Sequence, residues 1–278
     1  MPVTTADKRA AFHRLHESGC FIIPNPFDVG SARALQHLGF KALASTSAGF
    51  AWTIAKADNR VTVDDVCDHL SALCAAVDVP VNADFEGGFA HEPDKVGVNV
   101  ISGVKTGVAG LSIEDSPQSS ATPLYDFDLA LARVKAARAA IDKAGGDVTF
   151  TARTEGFIRG RPDLEETIRR LKAFADAGAD CLYSPGIKTR EQIEATVKAV
   201  APKPVNFLNS GAFGFTVKDL ASLGVRRISV GGTLARVAMD AFVKSARAIA
   251  ETGTFDSFAG VISNTELNSF FAARRKQP

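Results

Sequence analysis

Asp84 and Glu86 stand two residues apart at the end of the apolar run 79–85, and Glu114 closes a second apolar run, 110–114. Alternate side chains of a strand share one face, so Asp84 and Glu86 point the same way, and Gly87 and Gly88 behind them leave room for a ligand against the backbone. Carboxylates gathered at strand ends suit a hard cation, Mg²⁺ first and Mn²⁺ second. Asp84, Glu86 and Glu114 are therefore the candidate metal ligands. Any one of them alone reads as a solvated strand-end acid; the three together read as a site.

Other strand ends add polar groups to the same level. Arg153 and Glu155 follow a fifth apolar run, and a guanidinium beside three acids suits a substrate carboxylate, which its planar fork binds bidentately. The same Arg also fits a plain ion pair with Glu114 or Glu155. Ser45, Thr46 and Ser47 follow the second run, where hydroxyls and N–H groups of the turn 45–49 could hold a second carboxylate or an oxyanion. Asn206, in the seventh run, is assigned to the substrate side. Asp58 follows the small-residue loop 48–57 and reads equally as a site acid, an exposed loop acid or the N-cap of a short turn; Trp52 in that loop is expected to pack. Gly231 and Gly232 sit where many barrels hold phosphate at a helix N-terminus, although the pair is also ordinary turn chemistry. The five histidines lack metal-ligand spacing, and no lysine falls in the fifth to eighth runs, against a Schiff base.

The runs that must position these groups number eight: 20–24, 42–46, 79–85, 110–114, 148–153, 181–184, 204–208 and 227–231. Helix-period segments separate them, for example 28–38, 62–77, 128–143 and 163–177. Gly39, Gly178 and Gly224 each stop a helix just before a run begins, the same hand-over used three times. Eight β/α units in roughly 250 residues are the arithmetic of a (β/α)₈ TIM-type barrel, whose active sites lie at the C-terminal strand ends. A doubly wound sheet would call for a Gly-x-Gly-x-x-Gly after the first strand, and there is none. The expected fold is α/β, one barrel domain over 1–278 with additional C-terminal helices, about 240–278.

Composition narrows the partners. With 32 Lys plus Arg against 31 Asp plus Glu, a net +1 offers no electrostatic footprint for nucleic acid or an anionic membrane. Four scattered cysteines, Cys20, Cys67, Cys74 and Cys181, lack a Cys-x-x-Cys pair and read as reduced thiols in a cytoplasmic protein. Neither a signal-peptide segment nor a membrane-length apolar window is evident. A small molecule is the expected partner.

From about 21 to 236 the chain resembles the isocitrate lyase and phosphoenolpyruvate mutase superfamily of Mg²⁺-dependent barrels. The resemblance is carried by Asn25-Pro26-Phe27-Asp28, Ser45-Thr46-Ser47, Asn82-Ala83-Asp84-Phe85-Glu86-Gly87-Gly88-Phe89, Ile113-Glu114-Asp115, Thr151-Ala152-Arg153-Thr154-Glu155 and Ala177-Gly178-Ala179-Asp180. It implies that Asp84 ligates Mg²⁺ directly, that Glu86, Glu114 and Asp58 reach it through water, and that Arg153 and the Ser45 to Ser47 turn bind the substrate's carboxylate end. It also implies chemistry beside a 2-oxo acid through an enolate, and a homodimer or homotetramer in which the last helix packs on a neighbour. Leu267, Phe270 and Phe271 fit that exchange and fit packing on their own barrel equally well.

The departures from the family pattern redirect the function. Where isocitrate and methylisocitrate lyases carry a Lys-Lys-Cys-Gly-His gating loop, residues 116–123 contain no Cys, His or Lys. Where the mutase and phosphonopyruvate hydrolase pattern has a His after the sixth strand, this chain has Ser184-Pro185-Gly186. A site acid that is usually Asp is Glu86. The expected activity is therefore decarboxylation or retro-aldol cleavage of a small 2-oxo or 2-hydroxy dicarboxylate, with Asp58, Glu114 and Arg153 as the catalytic set. Water or a loop hydroxyl, that of Tyr125, Ser116, Ser119 or Ser120, is the expected proton carrier. The alternatives are a carbon–phosphorus bond enzyme and a non-catalytic metabolite-binding barrel.

Overall fold

The computed structural model describes residues 3–117 and 121–272. Eight parallel strands form one sheet in the order β1-β8-β7-β6-β5-β4-β3-β2. They are β1 (Phe21–Ile23), β2 (Leu43–Ala44), β3 (Val81–Asp84), β4 (Gly110–Glu114), β5 (Thr149–Arg153), β6 (Cys181–Tyr183), β7 (Val205–Leu208) and β8 (Arg227–Ser229). Each lies inside an expected run, and the order is that of the TIM-type barrel, nearly closed. The helices are α1 (Thr5–Glu17), α2 (Val29–His37), α3 (Ser47–Thr53), α4 (Val63–Ala76), α5 (Pro93–Lys105), α6 (Phe127–Lys143), α7 (Leu164–Asp176), α8 (Arg190–Val200), α9 (Val217–Ser222), α10 (Thr233–Thr252) and α11 (Asn264–Ala272). Asp28, Thr62, Asp163, Thr189 and Thr216 each cap a helix by accepting an N–H of its first turn. Gly39, Gly178 and Gly224 take positive φ, as the stop-and-start reading requires.

One loop expected from the sequence is a helix. The small residues of 48–57 gave no apolar period, yet Thr46 caps α3 through Gly49 N, and Gly49, Phe50 and Ala51 are buried. Small side chains let this short helix lie close to α10; a Cβ on Gly49 would already meet that of Ala235 at 3.2 Å.

The two ends of the barrel are built differently. At the N-terminal end Phe12 of α1 is fully buried with Ile23, Ala42, Ala44 and Ala109. Gly110 makes room for it, since a Cβ there would lie 2.5 Å from the ring. At the C-terminal end the seam between β1 and β2 is closed by one main-chain bond, Ala44 N to Pro24 O at 3.1 Å. Asn25 completes it: Nδ2 donates to Ser45 O at 2.9 Å, and Oδ1 accepts from Val230 N and Gly231 N at 2.9 and 2.8 Å. One side chain thus joins the second, first and eighth strand ends.

The C-terminal segment leaves the barrel along α10, on which Ala235 is buried while Val237 and Phe242 are 62% and 67% exposed. It returns onto α2 of its own chain, where Arg33 donates to Phe271 O at 2.9 Å and His37 meets the Phe270 ring at 4.8 Å. Among the described residues no helix is long and apolar enough to cross a membrane. All four cysteines are free thiols.

Candidate active site

Parallel register carries the expected groups to one level, because Asp84 pairs with Ser112 across β3 and β4, and Glu114 pairs with Arg153 across β4 and β5. Arg153 is the hub. Its Nη1 lies 3.1 Å from Glu114 Oε1 and 3.8 Å from Asp84 Oδ1, its Nε donates to Glu155, and its guanidinium lies over the Tyr183 ring at 4.9 Å. Burial opposes the charge on Arg153, but Glu114, Glu155, Tyr183 and Asp84 more than offset it, so the guanidinium stays protonated.

Asp84 is held by its neighbours on the β2 side. Its N–H donates to Ser45 Oγ at 2.8 Å, and its Oδ2 accepts from Ser47 N, in the first turn of α3, at 3.1 Å. The 45–47 turn therefore serves Asp84 first. Thr46 likewise caps its own helix. Asp58 stands exposed at the rim, near enough to Ser47 and Asp84 that desolvation, then the Asp84 charge, pushes its carboxyl up. Glu86 is 7% exposed, and its backbone takes φ 46°, a left-handed conformation that costs a non-glycine residue about 1–3 kcal/mol.

Burial works against ionisation of Glu86 and Glu114. Desolvation, with Asp84 and Asp58 adding to it, pushes Glu86 up to about 8, and burial pushes Glu114 well above its ordinary range against the pull of Arg153. From an ordinary value of 4.5 to about 8, the folded chain keeps a proton on Glu86 that the unfolded chain has lost. Folding stability without metal therefore falls as pH rises through that window, by up to about 1.4 kcal/mol per pH unit. Urea denaturation from pH 5 to 8 in EDTA is expected to show this slope, and Glu86→Gln to flatten it; equal slopes would place the proton elsewhere.

Among the described residues no three His, Cys, Asp or Glu side chains form a ready metal cage. The ligand set Asp84, Glu86 and Glu114 is adjacent rather than convergent, because Arg153 occupies the space between Asp84 and Glu114. The donors nonetheless fit a hard cation. Asp84 Oδ1 and Glu86 Oε1 are buried with no hydrogen-bond partner, and such oxygens are costly to leave unsatisfied.

The remaining expected residues fall outside this cluster. Asn206 sits deeper in the barrel: its Oδ1 accepts from Arg227 Nε at 2.8 Å and its Nδ2 donates to Ser229 Oγ at 2.9 Å, so both ends of the amide are engaged. Of the expected phosphate cradle, Gly231 and Gly232, the first already donates its N–H to Asn25, as does the neighbouring Val230. Tyr125 is buried, with its hydroxyl 2.8 Å from His91 Nδ1. Ser116 is buried, and Ser119 and Ser120 lie outside the described residues. Trp52 lines a cleft of about 700 Å³ with Ser210, Thr233, Arg236 and Val237, beside the acid cluster and not within it. Sequence reading missed Asn25 as the tie beneath the site. Its only signal was its place in the Asn25-Pro26-Phe27-Asp28 motif.

An acid-lined barrel mouth around one central guanidinium defines a class, and comparison with known proteins names it. The profile of the phosphoenolpyruvate phosphomutase family matches residues 12–250, and the chain belongs to that family. A crystal structure from Burkholderia cenocepacia J2315, provisionally described as a lyase/mutase, is 42% identical and superposes with a TM-score of 0.94, covering 99% of each chain. The structure of 2,3-dimethylmalate lyase, a member of the PEP mutase/isocitrate lyase superfamily, is 26% identical with a TM-score of 0.82, covering 97% of this chain and 94% of that one. An uncharacterized Mycobacterium tuberculosis protein is 32% identical over 87% of this chain and 89% of its own length. Oxaloacetate decarboxylase of Paraburkholderia xenovorans LB400 is 30% identical over 81% of this chain and 75% of its own. The two named activities both break a carbon–carbon bond.

Proposed function

We propose that this protein is a carbon–carbon lyase that decarboxylates or cleaves a small 2-oxo or 2-hydroxy dicarboxylate. The observation that carries this reading is the pair of buried carboxylate oxygens on Asp84 and Glu86 that accept no hydrogen bond, with the charged Arg153 3.8 Å from the first. Asp84 would hold Mg²⁺, or Mn²⁺, directly, with Glu86, Glu114 and Asp58 as water-mediated supports. When bound, the ion neutralises negative charge that develops on the substrate oxygen. The chain's own part is positioning: Arg153 binds the carboxylate end, and Glu114 and Glu155 fix the plane of its guanidinium. The Ser45 hydroxyl accepts from Asp84 N and keeps its own hydrogen for a substrate oxygen. Small diacids suit a mouth this crowded with charge, and the two named relatives act on such acids.

Gly231, one of the two glycines after β8, already donates its N–H to Asn25, which weakens the case for a phosphate cradle there, so the site favours carbon–carbon over carbon–phosphorus chemistry. Association of chains is supported by the apolar residues left exposed on α10 and beyond it, among them Phe242, Phe255 and Val261. The test is product release from oxaloacetate and a set of alkyl-substituted malates. At least one diacid is expected to turn over, to stop with EDTA and to resume with Mg²⁺. A protein that binds Mg²⁺ and these acids without turning any over would instead be a metabolite-binding barrel.

A further inference from the structure

Arg133 of α6 is 1% exposed and has no place in the chemistry above. Its guanidinium donates to the main-chain oxygens of Gly87, Ala90 and His91, the last at 2.7 Å. All three belong to the turn that follows β3. Asn99 of α5 takes a further oxygen of the turn, donating to Gly88 O at 2.9 Å. From the other side Tyr125 lays its ring over the guanidinium at 4.1 Å and bonds His91 through its hydroxyl at 2.8 Å.

The turn so gripped is the one that carries Glu86 in its left-handed conformation. Glu86 is pinned on its inner side too, where its carbonyl accepts from Glu114 N at 2.8 Å. Such a backbone persists only when its surroundings over-determine it. A planar fork with five N–H donors can satisfy several carbonyls at once, which a single ammonium cannot do in the same geometry. Burying that charge against neutral acceptors would be a poor way merely to attach a helix to a barrel, where an apolar side chain suffices.

We propose that Arg133 is a positioning residue: it holds the turn after β3 in the one conformation that sets Asp84 and Glu86 side by side at the barrel mouth. Part of the test rests on the reading of those acids as a cation site, and part does not. Two variants probe the grip. Arg133→Lys keeps the charge and loses the fork. Gly87→Ala keeps Arg133 and crowds the turn it grips, since the new Cβ would lie 3.2 Å from Ser116 O and in contact with Arg133 Nη2 at 3.4 Å.

Hydrogen–deuterium exchange of the metal-free protein reads the turn directly. Amides of 86–92 are expected to exchange at least about tenfold faster in both variants while the other strands keep their protection. Calorimetric titration with MgCl₂ is expected to show affinity about 10- to 100-fold weaker, the usual loss when support behind a metal ligand is removed. Unchanged exchange in the turn, or acceleration spread evenly over the barrel, would overturn the proposal and leave Arg133 as packing. Where Arg133→Lys does not fold, the Gly87→Ala result decides in the same way. A wild-type protein that binds no Mg²⁺ would defeat the functional reading alone, and the exchange data would still decide the role of Arg133.

Discussion

Asp84→Asn is expected to lower turnover by about 10²- to 10³-fold or more, the size of effect seen when one charge-stabilising group is taken from an active site. The substitution preserves shape. The side-chain oxygen of asparagine can still accept from Ser47 N, so α3 stays docked. What changes is the other atom: Oδ1, which accepts no hydrogen bond and faces Arg153 at 3.8 Å, becomes an amide nitrogen, which donates and cannot ligate a cation. Thermal unfolding gives a second measurement. At Mg²⁺ one hundred times its Kd the wild-type protein should gain about 2.7 kcal/mol of stability, and Asp84→Asn none. A variant that keeps both the rate and the metal-dependent shift would remove Asp84 from the site.

Arg153→Met is expected to act on the fold as well as on the chemistry. The guanidinium is the shared partner of Glu114, Glu155 and Asp84, and Glu155 is fully buried. Removing one member of a buried ion pair typically costs about 3–5 kcal/mol, because the charge left behind has lost its compensation. Against a total stability of roughly 5–15 kcal/mol, that is a large share. Urea denaturation at pH 7 should show the loss. Arg153→Lys should recover part of the stability but little of the activity, since an ammonium lacks the planar fork that meets Glu114 and Glu155 along two fixed directions. If Arg153→Met were as stable as wild type, these acids would already be neutral, and the hub would not be electrostatic.

The barrel was legible because its signals are local. Each strand is a short apolar run, and three of the helix stops are glycines that needed only positive φ, so the alternation could be counted directly. The acid cluster was legible for the same reason: Asp84, Glu86, Glu114 and Arg153 mark strand ends, and parallel register does the rest. What stayed hidden depends on ring closure. Asn25 acts on Val230 and Gly231, residues about two hundred positions away that meet it only when the last strand returns to the first. Arg133 sits in a helix among other charged residues and reads as a solvated face until the turn after β3 is laid against it. Depth along a strand was hidden as well. Asn206 was assigned to the substrate from its run alone, but Arg227 and Ser229 take both ends of its buried amide. The α3 helix was missed because its stability comes from a threonine cap and from close approach of small residues, neither of which leaves an apolar period.

Because the β1–β2 seam is welded by an asparagine side chain instead of a full ladder, the circumference of this barrel has one compliant joint. That joint sits directly below Ser45, which receives the Asp84 N–H. Any breathing of the ring there would tilt Asp84 relative to Arg153, on the opposite side of the acid. Closure of the cylinder at this seam thus rests on one main-chain bond and on Asn25 Nδ2, next to the serine that receives the Asp84 N–H.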